Sequence, residues 1–267
     1  MYNNIWLLYM NYGFDKREIN NLTEVDDTDT KTYYNYNGVD FYYRKRTDDD
    51  RLLVSFHGCT QYNTPLPVFR GHDWKYNILC ISDKLLQTYP GLLLGWYCTE
   101  KGSNVDVTYK CIIEHFISKY NNVVFHGSSG GGFPSLFYAS LFHKKAYITN
   151  SQLYLDTCYH AHYNRFVHEL DTTNLTHSIH ADDIINKHGL PSMMYIYVNE
   201  RDSLQYKTQY IPFMNYVDNN GFHTNFKFVA FNGLDPIGKQ THHDIYTPTN
   251  ITRDQIIDEL FQYNNVP

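Results

Sequence analysis

Short apolar runs alternate with amphipathic segments along this chain. Strands are predicted where β-branched, aromatic and aliphatic residues cluster between polar turns. These runs are 33–36, 39–46, 52–56, 78–82, 123–125, 146–150, 193–198 and 226–231. Helices are predicted where apolar residues recur every three or four positions, at 105–120, 135–141 and 252–263, and a short element is expected at 92–96. Strands that alternate with helices indicate an α/β fold, a mostly parallel sheet with helices on both faces.

One predicted strand runs directly into a glycine-rich turn and then into a helix. In this turn Ser129 has Gly127 two residues before it and Gly131 two residues after it, which is the pattern G-x-S-x-G. Ser128 lacks a glycine two positions earlier. This strand–turn–helix context is the nucleophile elbow of α/β-hydrolases, whose sharp turn leaves no room for Cβ atoms on either side. Ser129 is therefore the candidate nucleophile.

A serine nucleophile needs a base, and the base needs an acid that orients it. On an α/β-hydrolase fold these follow in the order serine, acid, histidine. Asp202 comes shortly after a predicted strand and is the predicted acid, with Glu200 as the rival. His243 lies in a polar loop before the last helix and is the predicted base, with His242 as the rival. Loops after parallel strands share one edge of the sheet, so these residues can meet.

Acyl transfer also needs hydrogen-bond donors aimed at the developing oxyanion. The predicted donors are the backbone N–H of Gly130, after the nucleophile, and the backbone around Gly58 and Cys59, after the strand 52–56. Small side chains there allow close approach of the backbone. His57 is expected to add a side-chain donor toward the substrate or to hold the loop by hydrogen bonding.

The segment 151–192 is dense in tyrosine and histidine. We expect it to be a lid insertion over the mouth of the site, where Tyr159, together with Trp96 from outside the segment, would stack on sugar rings. The alternative is an ordinary amphipathic connection packed on the sheet. Residues 1–30, polar and acidic toward their end, are expected to form a peripheral leader, and 31–267 one hydrolase domain.

Composition excludes several classes of protein. The net charge of -6 and the absence of a Lys/Arg-rich block argue against nucleic acid as the main partner. Five cysteines without a C-x-x-C pair indicate neither a disulfide framework nor a zinc site. His160, His162 and His168 lack a spaced set of further ligands, so no metal is expected. The apolar run 5–10 is too short for a signal peptide or a membrane span, which predicts a soluble cytoplasmic protein.

Five segments resemble bacterial α/β-hydrolase-like proteins of surface-polysaccharide biosynthesis and, more distantly, capsular polysaccharide O-acetyltransferases. They are LLVSFHG at 52–58, LLLGWY at 92–97, HGSSGGGFPSLFYAS at 126–140, YVNERD at 197–202 and HHDIYTP at 242–248. The resemblance implies a triad of Ser129, Asp202 and His243. It also implies a substrate role for Gln152, although an N-P-Q-T-D-like stretch of these proteins reads N-S-Q-L-Y-L-D here.

The sequence supports two hypotheses about function. The first is serine-dependent acyl chemistry on a carbohydrate, as an esterase or as an O-acetyltransferase. No cofactor is then required, and acetyl-CoA is the co-substrate of a transferase. The second is a non-catalytic glycan-binding or scaffold protein on the same fold. A complete triad favours the first, and a homo-oligomer is left open.

Overall fold

The computed structural model describes residues 15–27, 32–59, 74–89, 91–233 and 251–263. The described strands form one sheet of nine. They are β1 Asp15–Ile19, β2 Thr32–Tyr36, β3 Val39–Arg44, β4 Arg51–Phe56, β5 Asn77–Ile81, β6 Asn122–Ser128, β7 Lys145–Thr149, β8 Met193–Asn199 and β9 Phe226–Phe231. Every strand predicted from the apolar runs is present within these bounds or close to them.

Helices cover both faces of the sheet. The described α-helices are α1 Lys84–Thr88, α2 Asn104–Ile117, α3 Gly132–Leu141, α4 His160–Glu169, α5 Ala181–His188, α6 Ser203–Gln205, α7 Ile211–Asn219 and α8 Arg253–Gln262. A π-helical turn, Tyr206–Tyr210, joins α6 to α7. In the described part of the chain no helix is both long enough and apolar enough to cross a bilayer.

The strand order is β1-β2-β3-β5-β4-β6-β7-β8-β9. Only β3 runs antiparallel to its neighbours, β2 and β5. The other neighbouring pairs are parallel. The sheet is therefore mostly parallel and covered on both faces, which confirms the predicted α/β class. Its loop-bearing carboxyl edge includes the ends of β4, β6, β7 and β8.

The elements form for local reasons that the sequence contains. Asn37 and Gly38 both have positive φ, 48° and 82°, which suits the two-residue hairpin between β2 and β3. Thr252 accepts the N–H of Gln255 and Gln255 accepts the N–H of Thr252, so a capping box begins α8.

Side chains of β6 alternate between two cores because successive residues of a strand point to opposite faces. Val123 and Phe125 join the larger core, which α2 and α3 cover. Val124 joins the smaller core, together with Ile256 and Leu260 of α8. His126 and Ser128, two and four residues after Val124, are on the same face of the sheet as Val124, which α8 covers.

Two regions differ from the elements that the sequence predicts. Part of the segment treated as a leader, Asp15–Ile19, forms the edge strand β1 beside β2. Residues 92–96 form turns instead of a regular element, because the carboxylate of Asp83 accepts the backbone N–H groups of Gly95 and Tyr97.

Candidate active site

Ser129 lies on a strained turn at the end of β6. Its φ of 55° places a non-glycine residue in the left-handed region, and its residue surface is 3% exposed. It begins a short 3-10 turn, Ser129–Gly131, that leads into α3. Such a conformation costs a non-glycine residue roughly 1–2 kcal/mol and persists only where the surroundings fix it.

The glycines around Ser129 are required by close backbone contacts. A Cβ at Gly127 would overlap the carbonyl oxygen of Gly131, and a Cβ at Gly131 would overlap the carbonyl oxygen of Phe56. The hydroxyl of Ser135 donates to the carbonyl of Gly131 at 2.8 Å and fixes the turn from the α3 side. The G-x-S-x-G pattern therefore reflects a turn that is packed on both sides.

The loop after β4 lies directly against this turn. A Cβ added at Gly58 would lie 2.8 Å from the carbonyl oxygen of Ser128, 3.2 Å from the Cβ of Ser129 and 3.4 Å from the amide nitrogen of Gly130. The two backbone segments that the sequence offers as oxyanion donors are therefore neighbours. The N-terminus of α3 adds a positive dipole end beside Ser129, the candidate nucleophile.

His57 holds this loop through hydrogen bonds to the backbone. Its Nδ1–H donates to the carbonyl of Gly58 at 2.8 Å, and its Nε2 accepts the N–H of Asp83 at 3.1 Å. Its own N–H donates to the hydroxyl of Tyr97 at 3.1 Å, and that hydroxyl donates to the carbonyl of Ile81 at 2.6 Å. Burial lowers the pKa of His57 to about 4, so the ring is neutral near pH 7.

Asp202 is the N-cap of α6 and lies three residues after the end of β8. Its carboxylate accepts the N–H of Gln205 at 3.3 Å, and its own N–H donates to the carbonyl of Asn199 at 2.9 Å. Arg201 hydrogen-bonds Asn232, and Glu200 is exposed. Asp202 is thus half-buried at a helix start on the carboxyl edge of the sheet. His242 and His243, the candidate bases, lie outside the described residues.

Trp96 and Gln152 are buried against each other. The indole N–H of Trp96 donates to Oε1 of Gln152 at 2.5 Å, and the N–H of Gln152 donates to the carbonyl of Ser129 at 3.1 Å. Phe166 of α4 packs edge-on against the indole, with ring centroids 5.1 Å apart. The pair therefore connects the nucleophile turn to α4, and a substrate role for either residue stays a prediction.

Tyr159 is the N-cap of α4, and Cys59, in the loop after β4, approaches the same helix. Tyr159 is 38% exposed, and its pKa is raised first by burial and then by the negative charge of Asp202. The Sγ of Cys59 lies 4.0 Å from Nε2 of His162 in α4. Burial raises the pKa of the Cys59 thiol, which keeps it protonated near pH 7.

The start of the segment 151–192 is fastened to the helix that follows Asp202. Oε1 of the buried Gln209 accepts the N–H groups of Leu153 and Tyr154 at 2.7 and 2.8 Å. Its Nε2 donates to the hydroxyl of Thr157 at 3.0 Å. The segment also contains α4 and α5, and its role as a lid stays a prediction.

Two cavities border the nucleophile turn. The first, about 60 Å³, is lined by Ser129 and by the loop residues His57, Gly58 and Cys59. It is also lined by residues to which the sequence assigned no function, chiefly Ser55, Trp74, His126, Ser128 and Arg253. Of these residues only His126 and Ser128, which flank Gly127, lie close to Ser129 in the sequence. The side chains meet because Ser55 and His126 are register partners on β4 and β6.

The second cavity is a leucine-rich cleft of about 450 Å³, lined by Gly91, Leu92, Leu93, Leu94, Ala161, His162 and Arg165. Leu94 also packs against Gly130, so one wall of the cleft is shared with the turn at Ser129. The guanidinium of Arg165 lies over Gly91 on the opposite part of the lining. A leucine-lined cleft with an arginine in its wall suits an elongated ligand with an anionic end.

A group of described residues with metal-ligand chemistry lies at the start of α5. His180, Asp182 and Asp183 each offer an atom within 4.8 Å of the others. The ring of His180 already contacts Asp156 at 3.0 Å, and Ser178 donates to Asp183 at 2.7 Å. His180 and Asp183 therefore each have a protein partner already.

No protein-family model matches the sequence, and no curated protein sequence is significantly similar to it. Solved structures are similar in fold. The capsule O-acetyltransferase of Neisseria meningitidis serogroup A is 18% identical, with a TM-score of 0.55 over 75% of this chain and 86% of the other. A structure of a mutant of that protein in complex with CoA gives a TM-score of 0.56 over 77% and 88%.

Solved structures of serine hydrolases resemble this protein with comparable TM-scores. The fluorophosphonate-binding serine hydrolase F of Staphylococcus aureus is 11% identical, with a TM-score of 0.53 over 86% of this chain and 97% of the other. Esterase B from Lactobacillus rhamnosis is 13% identical, with a TM-score of 0.52 over 84% and 80%. These likenesses establish the α/β-hydrolase fold.

Proposed function

We propose that this protein is a serine-dependent acyl-transfer enzyme whose substrate is a carbohydrate. The observation that carries the proposal is the left-handed Ser129 on a strand–turn–helix elbow with the Gly58 loop packed against it. A strained serine beside converging backbone N–H groups is the arrangement that acyl chemistry needs. A serine turn without a catalytic function would have no need of that strain.

In the proposed mechanism the Oγ of Ser129 attacks the carbonyl carbon of an acyl donor while His243 takes its proton. Asp202 orients the imidazole of His243 and stabilises the imidazolium. The N–H of Gly130 and the backbone at Gly58 and Cys59 receive the oxyanion of the tetrahedral intermediate. His243 then protonates the leaving group, and an acyl-enzyme remains.

The second half of the reaction decides the class of enzyme. Water yields a free acid, as in an esterase, whereas a sugar hydroxyl yields an O-acylated carbohydrate, as in an O-acetyltransferase. For a transferase, acetyl-CoA is the proposed donor. The leucine-rich cleft, whose Leu94 packs against Gly130 and whose wall carries Arg165, would hold its pantetheine arm and a phosphate. The CoA complex of a structurally similar protein supports this choice.

The proposal is tested by incubating the purified protein with acetyl-CoA and an oligosaccharide, and separately with an acetylated oligosaccharide. Gain of an acetyl group by mass spectrometry indicates a transferase, and loss of one indicates an esterase. Ser129→Ala should abolish either change. If neither mixture changes in mass across a panel of glycans, and the protein binds a glycan, a non-catalytic glycan-binding protein is the better description.

A further inference from the structure

The cavity on the α8 side of Ser129 contains buried polar groups without a hydrogen-bond partner in the described part of the chain. His126 is 7% exposed, and its Nε2 has no hydrogen-bond partner among the described residues. The hydroxyl of Ser128 is also buried and without a partner in the same part of the chain. Leaving such groups unpaired costs roughly 1–3 kcal/mol each, so a ligand that satisfies them is expected.

Both groups face the same space. Ser55 of β4 is the register partner of His126 of β6, and Ser128 lies two residues further along β6. All three line this cavity. The Nδ1 of His126 lies 3.4 Å from the hydroxyl of Ser55, which leaves Nε2 as its free hydrogen-bonding atom. Burial and the charge of Arg253 lower the pKa of His126 to about 3, so the ring is neutral near pH 7.

The charge in the cavity comes from Arg253, in the first turn of α8. Its guanidinium lies over the ring of Trp74, 5.0 Å from the centroid, and has no carboxylate partner within the described residues. Stacking on Trp74 leaves the edge of the guanidinium free for a planar or tetrahedral oxyanion. An arginine, a neutral histidine and a serine hydroxyl together offer donors to an anion and no negative charge against it.

We propose that this cavity is a subsite for an oxyanion of the substrate, a carboxylate or a phosphate, held by Arg253, His126 and Ser128 next to the nucleophile. Its volume of about 60 Å³ holds about four water molecules, which is room for a small oxyanion group. That the anion belongs to an acidic carbohydrate rests on the proposed function, whereas the binding of the anion does not.

Calorimetric titration of the full-length protein with inorganic phosphate, acetate and the uncharged acetamide, at constant ionic strength, tests the subsite. We expect phosphate or acetate to bind and acetamide not to bind. Tighter binding of phosphate assigns the anion to a phosphate ester, and tighter binding of acetate assigns it to a carboxylate sugar. Arg253→Gln should weaken binding by at least about tenfold, and Ser128→Ala by roughly threefold.

Lys119→Gln is the matched control, because Lys119 also lies over an aromatic ring, 5.1 Å from the centroid of Phe116, on the other face of the sheet. It should bind anions as the wild type does. The subsite is wrong if neither anion binds, or if Arg253→Gln binds as tightly as the wild type. Fluorophosphonate labelling of the same wild-type sample tests Ser129 separately, so anion binding without labelling overturns the proposed enzyme and leaves the subsite in place.

Discussion

The Nε2 of the buried His57 accepts the backbone N–H of Asp83 at 3.1 Å while its Nδ1–H donates to Gly58. The end of β5 is thereby tied to the loop beside the nucleophile through one imidazole. Only the neutral ring can accept and donate at once, because a protonated imidazole has two donors and no acceptor. The geometry of the Gly58 loop therefore depends on the protonation state of His57.

Acid should destabilise this protein steeply. Burial lowers the pKa of His57 and His177 to about 4 and that of His126 to about 3, below the ordinary 6.5, so unfolding takes up three protons. Burial raises the pKa of Asp83 from 3.8 to about 6, so unfolding releases one. Counting these four groups, the net uptake is three minus one, two protons, which lowers stability by up to about 2.7 kcal/mol per pH unit below pH 6.

Urea unfolding at pH 7, 6 and 5 measures this slope. His177→Gln should reduce it by about 1.4 kcal/mol per pH unit, since one protonating group is removed. His168→Gln, which replaces an exposed histidine, is the matched control and should leave it unchanged. Stability that is flat or rises from pH 6 to pH 5 contradicts the prediction.

Gly58→Ala should lower kcat by about a hundredfold with a smaller change in KM. The added Cβ would lie 2.8 Å from the carbonyl oxygen of Ser128, so the loop must retreat from the position where it can donate to an oxyanion. Gly221→Ala is the control: its φ of 71° costs about 1 kcal/mol of stability, yet no atom lies within 4 Å of the new Cβ. Kinetics on p-nitrophenyl acetate and thermal melts separate the two effects. Full kcat in Gly58→Ala would remove this loop from the oxyanion site.

Ser129 should be the only serine that a fluorophosphonate probe modifies. Its strained turn presents one hydroxyl to the converging backbone donors, and the neighbouring Ser128 belongs to β6. Intact-mass analysis should show one adduct in the wild type and none in Ser129→Ala. An adduct that persists in Ser129→Ala and disappears in Ser128→Ala would reverse the assignment.

His243→Ala and Asp202→Asn should each lower kcat by several orders of magnitude, because the members of a triad act as one unit. Melting temperatures should stay near that of the wild type. His242→Ala and Glu200→Gln are the matched neighbours and should be mild. If His242→Ala is inactive and His243→Ala is mild, the base is His242.

Tyr159→Ala and Tyr163→Ala should raise KM for a glycan substrate and spare p-nitrophenyl acetate. Tyr159 is partly exposed close to Asp202, and both tyrosines belong to the proposed lid. The small ester needs only the nucleophile and the oxyanion donors, whereas a glycan needs a stacking surface. An equal loss of kcat/KM on both substrates would indicate that the tyrosines only support the fold.

The register of the elbow was predictable because a local rule fixes it: only Ser129 has a glycine at both required positions. The strands β4, β6, β7 and β8 were predictable because strands buried on both faces are continuously apolar. The edge strand β1 was missed, since four of its five residues are exposed and its sequence, DKREI, has no apolar alternation.

The surroundings of the site were less predictable because they depend on long-range contacts. His57 bonds to the backbone of Asp83, 26 positions away, and Arg253 meets Trp74 only after α8 packs on the sheet. Each of these contacts joins residues too far apart in the sequence for a local motif to reveal it. The burial of Trp96 beside Gln152 is a contact of the same kind, since the two residues are 56 positions apart, and its predicted role in sugar binding stays a prediction.

Gln209 limits how much of the segment 151–192, the proposed lid, could move. Its amide hydrogen-bonds residues 153–157, and Gln209 itself lies in the π-helical turn that follows α6, which Asp202 caps. Displacing the whole segment would therefore also shift the helix that positions Asp202, the proposed acid. In the proposed mechanism any opening should pivot beyond Thr157, so that α4 moves while residues 153–157 and Asp202 stay in place.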